Sequence, residues 1–109
     1  MGSLDGKVAI VSGAARGQGE AQARLFASEG AQVLIGDVLD DVGEEVAASI
    51  GGAAAYQHLD VTQESDWQEA VADVEARWGR VDVLVNNAGI ARFAPLVMTT
   101  LDDYMAVVG

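Results

Sequence analysis

Residues 11–20 read VSGAARGQGE, and the spacing of Gly13, Gly17 and Gly19 decides how the chain is built. Before them, Lys7 to Ser12 (KVAIVS) carries an unbroken apolar run from Val8 to Val11. That run has the length of a strand, and it is too uniformly apolar for a strand with one wet face, so it reads as a central strand covered on both sides. After the glycines, Ala21, Leu25 and Phe26 recur at helical spacing until Gly30, where a residue without Cβ suits a helix end. Strand, glycine loop and helix therefore follow one another. Such a turn gathers unpaired N–H groups at the positive end of the helix, which is a natural seat for an anion. Gly13 permits the tight turn, and Gly17 and Gly19 permit close approach of helix, sheet and ligand.

The same unit repeats downstream. Gln32 to Asp37 (QVLIGD) is a second strand, followed by a helix with Val42, Val46 and Ile50 on one face and Gly51-Gly52 as its stop. Ala53 to Leu59 forms a third, ending in Asp60-Val61-Thr62. Thr62 is the expected N-cap of a helix in which Trp67, Val71, Val74 and Trp78 share a face, closed by Gly79. Val81 to Asn86 (VDVLVN) is a fourth strand, running into Asn87-Ala88-Gly89. Thr100-Leu101-Asp102-Asp103 looks like the start of a further helix, with Tyr104 as one of its packing residues. Strands alternating with helices predict a parallel sheet with right-handed crossovers. The expected class is α/β: the amino-terminal half of a doubly wound Rossmann fold, strand order 3-2-1-4.

Composition narrows the function. The chain has 109 residues, half of them hydrophobic, with one proline and no cysteine. Disulfides, thiol nucleophiles and cysteine metal sites are thereby excluded. Six basic residues against seventeen acidic ones give a net charge of −11, which repels phosphate backbones and anionic lipid, so neither nucleic acid nor membrane is an expected partner. The opening MGSLDGK has neither a basic start nor a long apolar run, so a cytoplasmic protein is expected.

The loop spacing Gly-x-x-x-Gly-x-Gly lacks the Gly-Lys-Ser/Thr of a triphosphate-binding loop. Asp37 ends the second strand close to the roughly 20-residue interval at which a carboxylate reaches the adenosine ribose in dinucleotide folds. There it would accept from ribose hydroxyls and repel a 2′-phosphate, favouring NAD over NADP; its other reading is an aspartate opening a turn before Val38. Arg16 fits the pyrophosphate, a 2′-phosphate or plain solvent. Asp60 ends the third strand on the same sheet edge, either meeting adenine beside Val61 or capping the next helix. His58, with no second ligand or nucleophile nearby in sequence, reads as structural or surface.

Taken together, these residues resemble the short-chain dehydrogenase/reductase family from about Leu4 to Gly109. The family's Thr-Gly-x-x-x-Gly-x-Gly is matched by Ser12 to Gly19, with serine for threonine. Its acidic residue after the second strand falls on Asp37, its Asp-Val on Asp60-Val61, and its Asn-Asn-Ala-Gly on Asn86 to Gly89. The resemblance implies that Gly13, Arg16, Gly17, Gln18 and Gly19 face the pyrophosphate of NAD and that Asp37 holds its adenosine ribose. Asp60 and Val61 would hold adenine, with Asn87 and Gly89 lining the cofactor further along. Gly36-Asp37-Val38 and Leu59 to Thr62 are similar to NAD-dependent members acting on hydroxysteroids and related secondary alcohols.

Family chemistry requires a tyrosine general acid/base, a lysine four residues later and a substrate-holding serine. This sequence has one lysine, Lys7, and two tyrosines, Tyr56 and Tyr104, followed four residues later by Asp60 and Val108. It contains no Tyr-x-x-x-Lys, so no catalytic residue is assigned. The expectation is a partial NAD-binding domain over 1–109, inactive alone, within an oxidoreductase acting on a small alcohol or ketone as a homo-oligomer. Rival readings are an S-adenosylmethionine-dependent methyltransferase, whose sheet also uses a glycine loop and strand-end acids, and a non-catalytic nucleotide-binding module.

Overall fold

A computed structural model describes residues 4–87 and 105–107. The elements run β1 (Val8–Ser12), α1 (Gly17–Ser28), β2 (Gln32–Asp37), α2 (Asp40–Ile50), β3 (Ala54–His58), α3 (Glu64–Trp78), β4 (Val83–Asn86) and β5 (Met105–Val107). The sheet order is β3-β2-β1-β4-β5. The first four strands are mutually parallel, in the 3-2-1-4 order of half a doubly wound fold.

Alternation along the strands builds two cores. Ala9 and Val11 of β1 join Val33, Ile35, Val83 and Val85 beneath α1 and α2, whereas Val8 and Ile10 join Leu34 and Leu84 beneath α3. All five residues of β1 are buried, as expected for a strand covered on both faces. At the sheet's opposite end from the glycine loop, Asp82 locks β1 to β4. Its carboxylate accepts from the Val8 N–H at 2.9 Å, and its own N–H donates to the Val8 carbonyl at 2.8 Å. Burial alone would raise the Asp82 pKa, but hydrogen bonds from Arg80 and from the Val8 N–H outweigh it and hold the carboxyl below its ordinary value.

Three local expectations are corrected. In α1 the buried face is Gly19 and Ala23, with Phe26 and Ala27 packed beside them; Ala21 is exposed and Leu25 is 56% exposed. The small residues face the sheet because the start of the helix presses against the end of β1, and that contact sets the rotation. In α3 the N-cap is Gln63, because the Thr62 hydroxyl is occupied by Asp60 at 2.7 Å. Finally, Met105–Val107 is a strand antiparallel to β4 rather than part of a helix. It pairs backbone groups of Val83–Val85 that would otherwise present an open sheet edge. Tyr104 lies outside the described residues.

Trp67 anchors α3. It is 1% exposed, and its indole N–H donates to the Val61 carbonyl at 3.0 Å, tying the helix to the loop after β3. Trp67→Ala in the full-length protein is expected to cost about 3–5 kcal/mol in urea unfolding, and Trp67→Phe distinctly less. A loss below about 1 kcal/mol would mean that this helix face is not core.

Candidate functional site

The parallel register brings the carboxyl ends of four strands to one edge. Ser12 is level with Gly36 and Asn86, and Asp37 with His58. The glycine loop, Asp37, Asp60 and Asn87 therefore converge, although they are scattered in sequence. This edge is where open α/β sheets bind ligands.

The loop leaves β1 at Gly13, whose φ of 64° is a left-handed conformation that glycine adopts without strain. Gly19 then passes so near that a Cβ would overlap the Gly13 carbonyl oxygen and come within 3.0 Å of the Ala14 Cα. Arg16, extended at φ −164°, is the N-cap of α1, and its side chain makes no capping hydrogen bond. The positive end of α1 is thus presented at the sheet edge without a side-chain acceptor on its cap. Arg16, Gly17 and Gln18 are exposed there. Arg16 also lines an open groove of about 380 Å³ between α1 and α2, with Ala15, Arg24 and Ser49.

Asp37 is held rather than free to swing. One carboxylate oxygen accepts from the Ala15 N–H at 3.0 Å, across from β2 to the loop; the other accepts from the Val38 and Leu39 N–H groups at 2.7 and 3.1 Å. The bridge joins residues that the sequence links only through a shared ligand. The turn before Val38 and a place beside the glycine loop are one arrangement.

Asp60 shapes its own loop. Its Oδ1 accepts from the Thr62 hydroxyl and N–H, which lower its pKa, and its N–H donates to Asp66 at 2.9 Å. Val61 packs against the α3 core. Next to them lies a cluster with no local sequence signal. The Tyr56 hydroxyl donates to Asp40 and lies 2.7 Å from the Asp37 carbonyl; His58 Nδ1 meets Asp40 at 2.8 Å, with Nε2 3.9 Å from Asp66. Burial, then the Asp40 contact, pushes the Tyr56 pKa far up. Hydrogen bonds from Tyr56 and His58 lower Asp40, and the Asp40 bond raises His58. His58, which has no partner nearby in sequence, thus links the starts of α2 and α3.

At β4 the Ser12 hydroxyl donates to Asn86 Oδ1 at 2.8 Å and accepts from the Asn87 N–H at 3.1 Å. The Asn87 side-chain amide donates to the Ser12 carbonyl at 3.1 Å and to Gln22 Oε1 at 2.8 Å. Its Oδ1 is buried without a hydrogen-bond partner. A buried acceptor in that state costs about 1–3 kcal/mol, so a donor arriving at this point would be favoured. Gly89 lies outside the described residues. Among the described residues, no group of three or more His, Asp or Glu side chains is arranged to hold a metal ion, and no helix is long and apolar enough to cross a membrane.

A strand 3-2-1-4 sheet with a glycine cradle, a strand-end carboxylate and paired asparagines places the chain in a known class. It belongs to the short chain dehydrogenase family, whose sequence model matches residues 7–109. It is 50% identical over 103 residues to the 3-alpha-(or 20-beta)-hydroxysteroid dehydrogenase of Mycobacterium tuberculosis, covering 94% of this chain and 38% of that protein. Sorbitol dehydrogenase of Cereibacter sphaeroides is 44% identical over 93% of this chain and 40% of its own length. Among solved structures, the 3-ketoacyl-(acyl-carrier-protein) reductase from Brucella melitensis complexed with NADH matches with a TM-score of 0.77 and 46% identity, over 81% of this chain and 36% of that one. The chain therefore spans about two fifths of the length of these relatives.

The His58 contact has a pH signature. A raised folded-state pKa stabilises below the ordinary histidine value of about 6.5, and the stabilisation is lost as pH rises through the folded-state value. The urea midpoint of the full-length protein should exceed that of His58→Gln by more at pH 6 than at pH 9. An equal gap at both would contradict the ion pair.

Proposed function

We propose that this chain is the cofactor-holding part of an NAD-dependent oxidoreductase that moves hydride between NAD(H) and a secondary alcohol or its ketone, with hydroxysteroids as the substrate class. Residues 1–109 are, in this reading, a partial NAD-binding Rossmann domain. The catalytic serine, tyrosine and lysine belong to the remainder of a complete enzyme, a cytoplasmic homo-oligomer, and the chain alone is inactive. The 50% identity to a hydroxysteroid dehydrogenase and the NADH named with the Brucella reductase support both substrate class and cofactor.

The observation that carries the reading is the Asp37 carboxylate, fixed by three N–H donors beside the glycine loop. A carboxylate so anchored is preorganised to accept from ribose hydroxyls and to repel a 2′-phosphate. The backbone of Gly13, Gly17, Gln18 and Gly19 at the start of α1, where the Arg16 side chain makes no capping bond, suits the pyrophosphate, with Arg16 alongside. Asp60 and Val61 would border adenine, and Asn87 and Gly89 the far half of the dinucleotide. Bound NAD supplies the hydride acceptor. This chain's residues grip and orient it, which is the positional share of catalysis.

Two measurements test the reading in the full-length protein. NADH should quench tryptophan fluorescence saturably and S-adenosylmethionine should not; the reverse pattern would point to a methyltransferase. Asp37→Ala should lower the NAD-to-NADP ratio of kcat/KM by roughly tenfold or more, on the order of one to two kcal/mol of lost discrimination. An unchanged ratio would remove Asp37 from the ribose site.

A further inference from the structure

The amide of Asn87 can be turned in two ways, and its surroundings permit one. Its Nδ2 faces two acceptors at once, the Ser12 carbonyl at 3.1 Å and Gln22 Oε1 at 2.8 Å. Both amide protons are thereby used, and a flip would set Oδ1 against two oxygens. The outcome is an Oδ1 that is buried and unpartnered at the end of β4. Ser12 contributes a backbone carbonyl, which any residue would supply. Gln22 contributes a side chain from the exposed-to-buried boundary of α1, reaching across to a residue far away in sequence.

We propose that Gln22 is a positioning residue for the cofactor. By fixing the Asn87 amide, it keeps Oδ1 aimed as an acceptor for a hydrogen-bond donor on the nicotinamide half of the bound dinucleotide. The inference rests on the NAD reading above. The half is set by the sheet order: Asp37 and Asp60 follow β2 and β3, the glycine loop follows β1, and Asn87 follows β4 on the other side. A dinucleotide with its adenosine over β2 and β3 and its diphosphate at α1 extends its remaining half over β4. Gln22 itself touches Asn87 rather than the ligand, so its effect passes through that amide.

The experiment uses the full-length protein and compares NADH with ADP, which has the adenosine and diphosphate but no nicotinamide half. Gln22→Met, which keeps length and helix preference but cannot accept, should weaken NADH binding about tenfold, about 1.4 kcal/mol, and leave ADP within about twofold. Gln22→Glu retains an acceptor oxygen and should keep the NADH-to-ADP affinity ratio of the wild type. In an Asn87→Ala background, Gln22→Met should add less than about twofold, because the group it positions is gone. Gln22→Ala replaces the methionine variant if that one fails to fold, with the same expectations.

An unchanged NADH affinity, an equal loss for NADH and ADP, or full additivity with Asn87→Ala would each overturn the assignment. The last two would mark Gln22 as a strut between α1 and β4. Wild-type protein that binds neither ligand would instead overturn the NAD reading, and this proposal with it.

Discussion

The contact between Gly19 and the Gly13 carbonyl is the constraint on which the rest of the edge depends. It lets α1 begin hard against the end of β1, at a distance that a single methyl group would prevent. Because the helix starts there, its positive end opens at the sheet edge, and its buried face must be the small-residue stripe of Gly19 and Ala23. The same placement brings Ala15 within reach of Asp37 and Gln22 within reach of Asn87. One close approach thus sets where the helix begins and supports both of the loop's neighbours, Asp37 and Asn87.

Around that contact, the edge divides by charge. On the β2 and β3 side stand Asp37, Asp40, Asp60 and Asp66, with His58 between Asp40 and Asp66 as a cationic partner when protonated. On the β4 side, among the described residues, the hydrogen-bonded groups are the neutral side chains of Ser12, Asn86, Asn87 and Gln22. An acidic side discourages an additional phosphate, and a neutral amide side suits uncharged sugar and amide groups. On the NAD reading proposed above, the asymmetry would suit a ligand whose two halves differ in this way. The buried Asp82 at the opposite end plays a purely architectural part. It locks β1 to β4, so that the strand ends at the site stay in register.

Much of this was legible in the chain because local signals agreed with the tertiary outcome. The run QVLIG followed by Asp37 marks the whole of β2, since an apolar strand buried on both faces ends where the first carboxylate appears. The glycine spacing marks the tight loop between β1 and α1, because Gly13 and Gly17 take positive φ and Gly19 passes against the Gly13 carbonyl. Where two local readings competed, the sequence was silent on which would win. Thr62 is a good N-cap by type, yet Asp60 two residues earlier claims its hydroxyl and the cap passes to Gln63. Leu25 looks like core by hydropathy, yet the Gly19 contact turns it outward. Gln22, Tyr56 and His58 carry no signal at all, because their partners lie on other elements and the residue types are ordinary. The strand at Met105–Val107 was hidden for a similar reason: its pairing answers to the open edge of β4 rather than to its own pattern.

If the Gly19 approach creates the dinucleotide grip, closing that space must loosen the cofactor. Calorimetric titration of NADH into the full-length Gly19→Ala protein, alongside the wild type, tests this most directly. The predicted result is a cooperatively folded variant whose NADH affinity has fallen by on the order of a hundredfold, about 2.7 kcal/mol. A Gly19→Ala protein that binds NADH as the wild type does would contradict it, since the cradle would then not need the space that only glycine leaves.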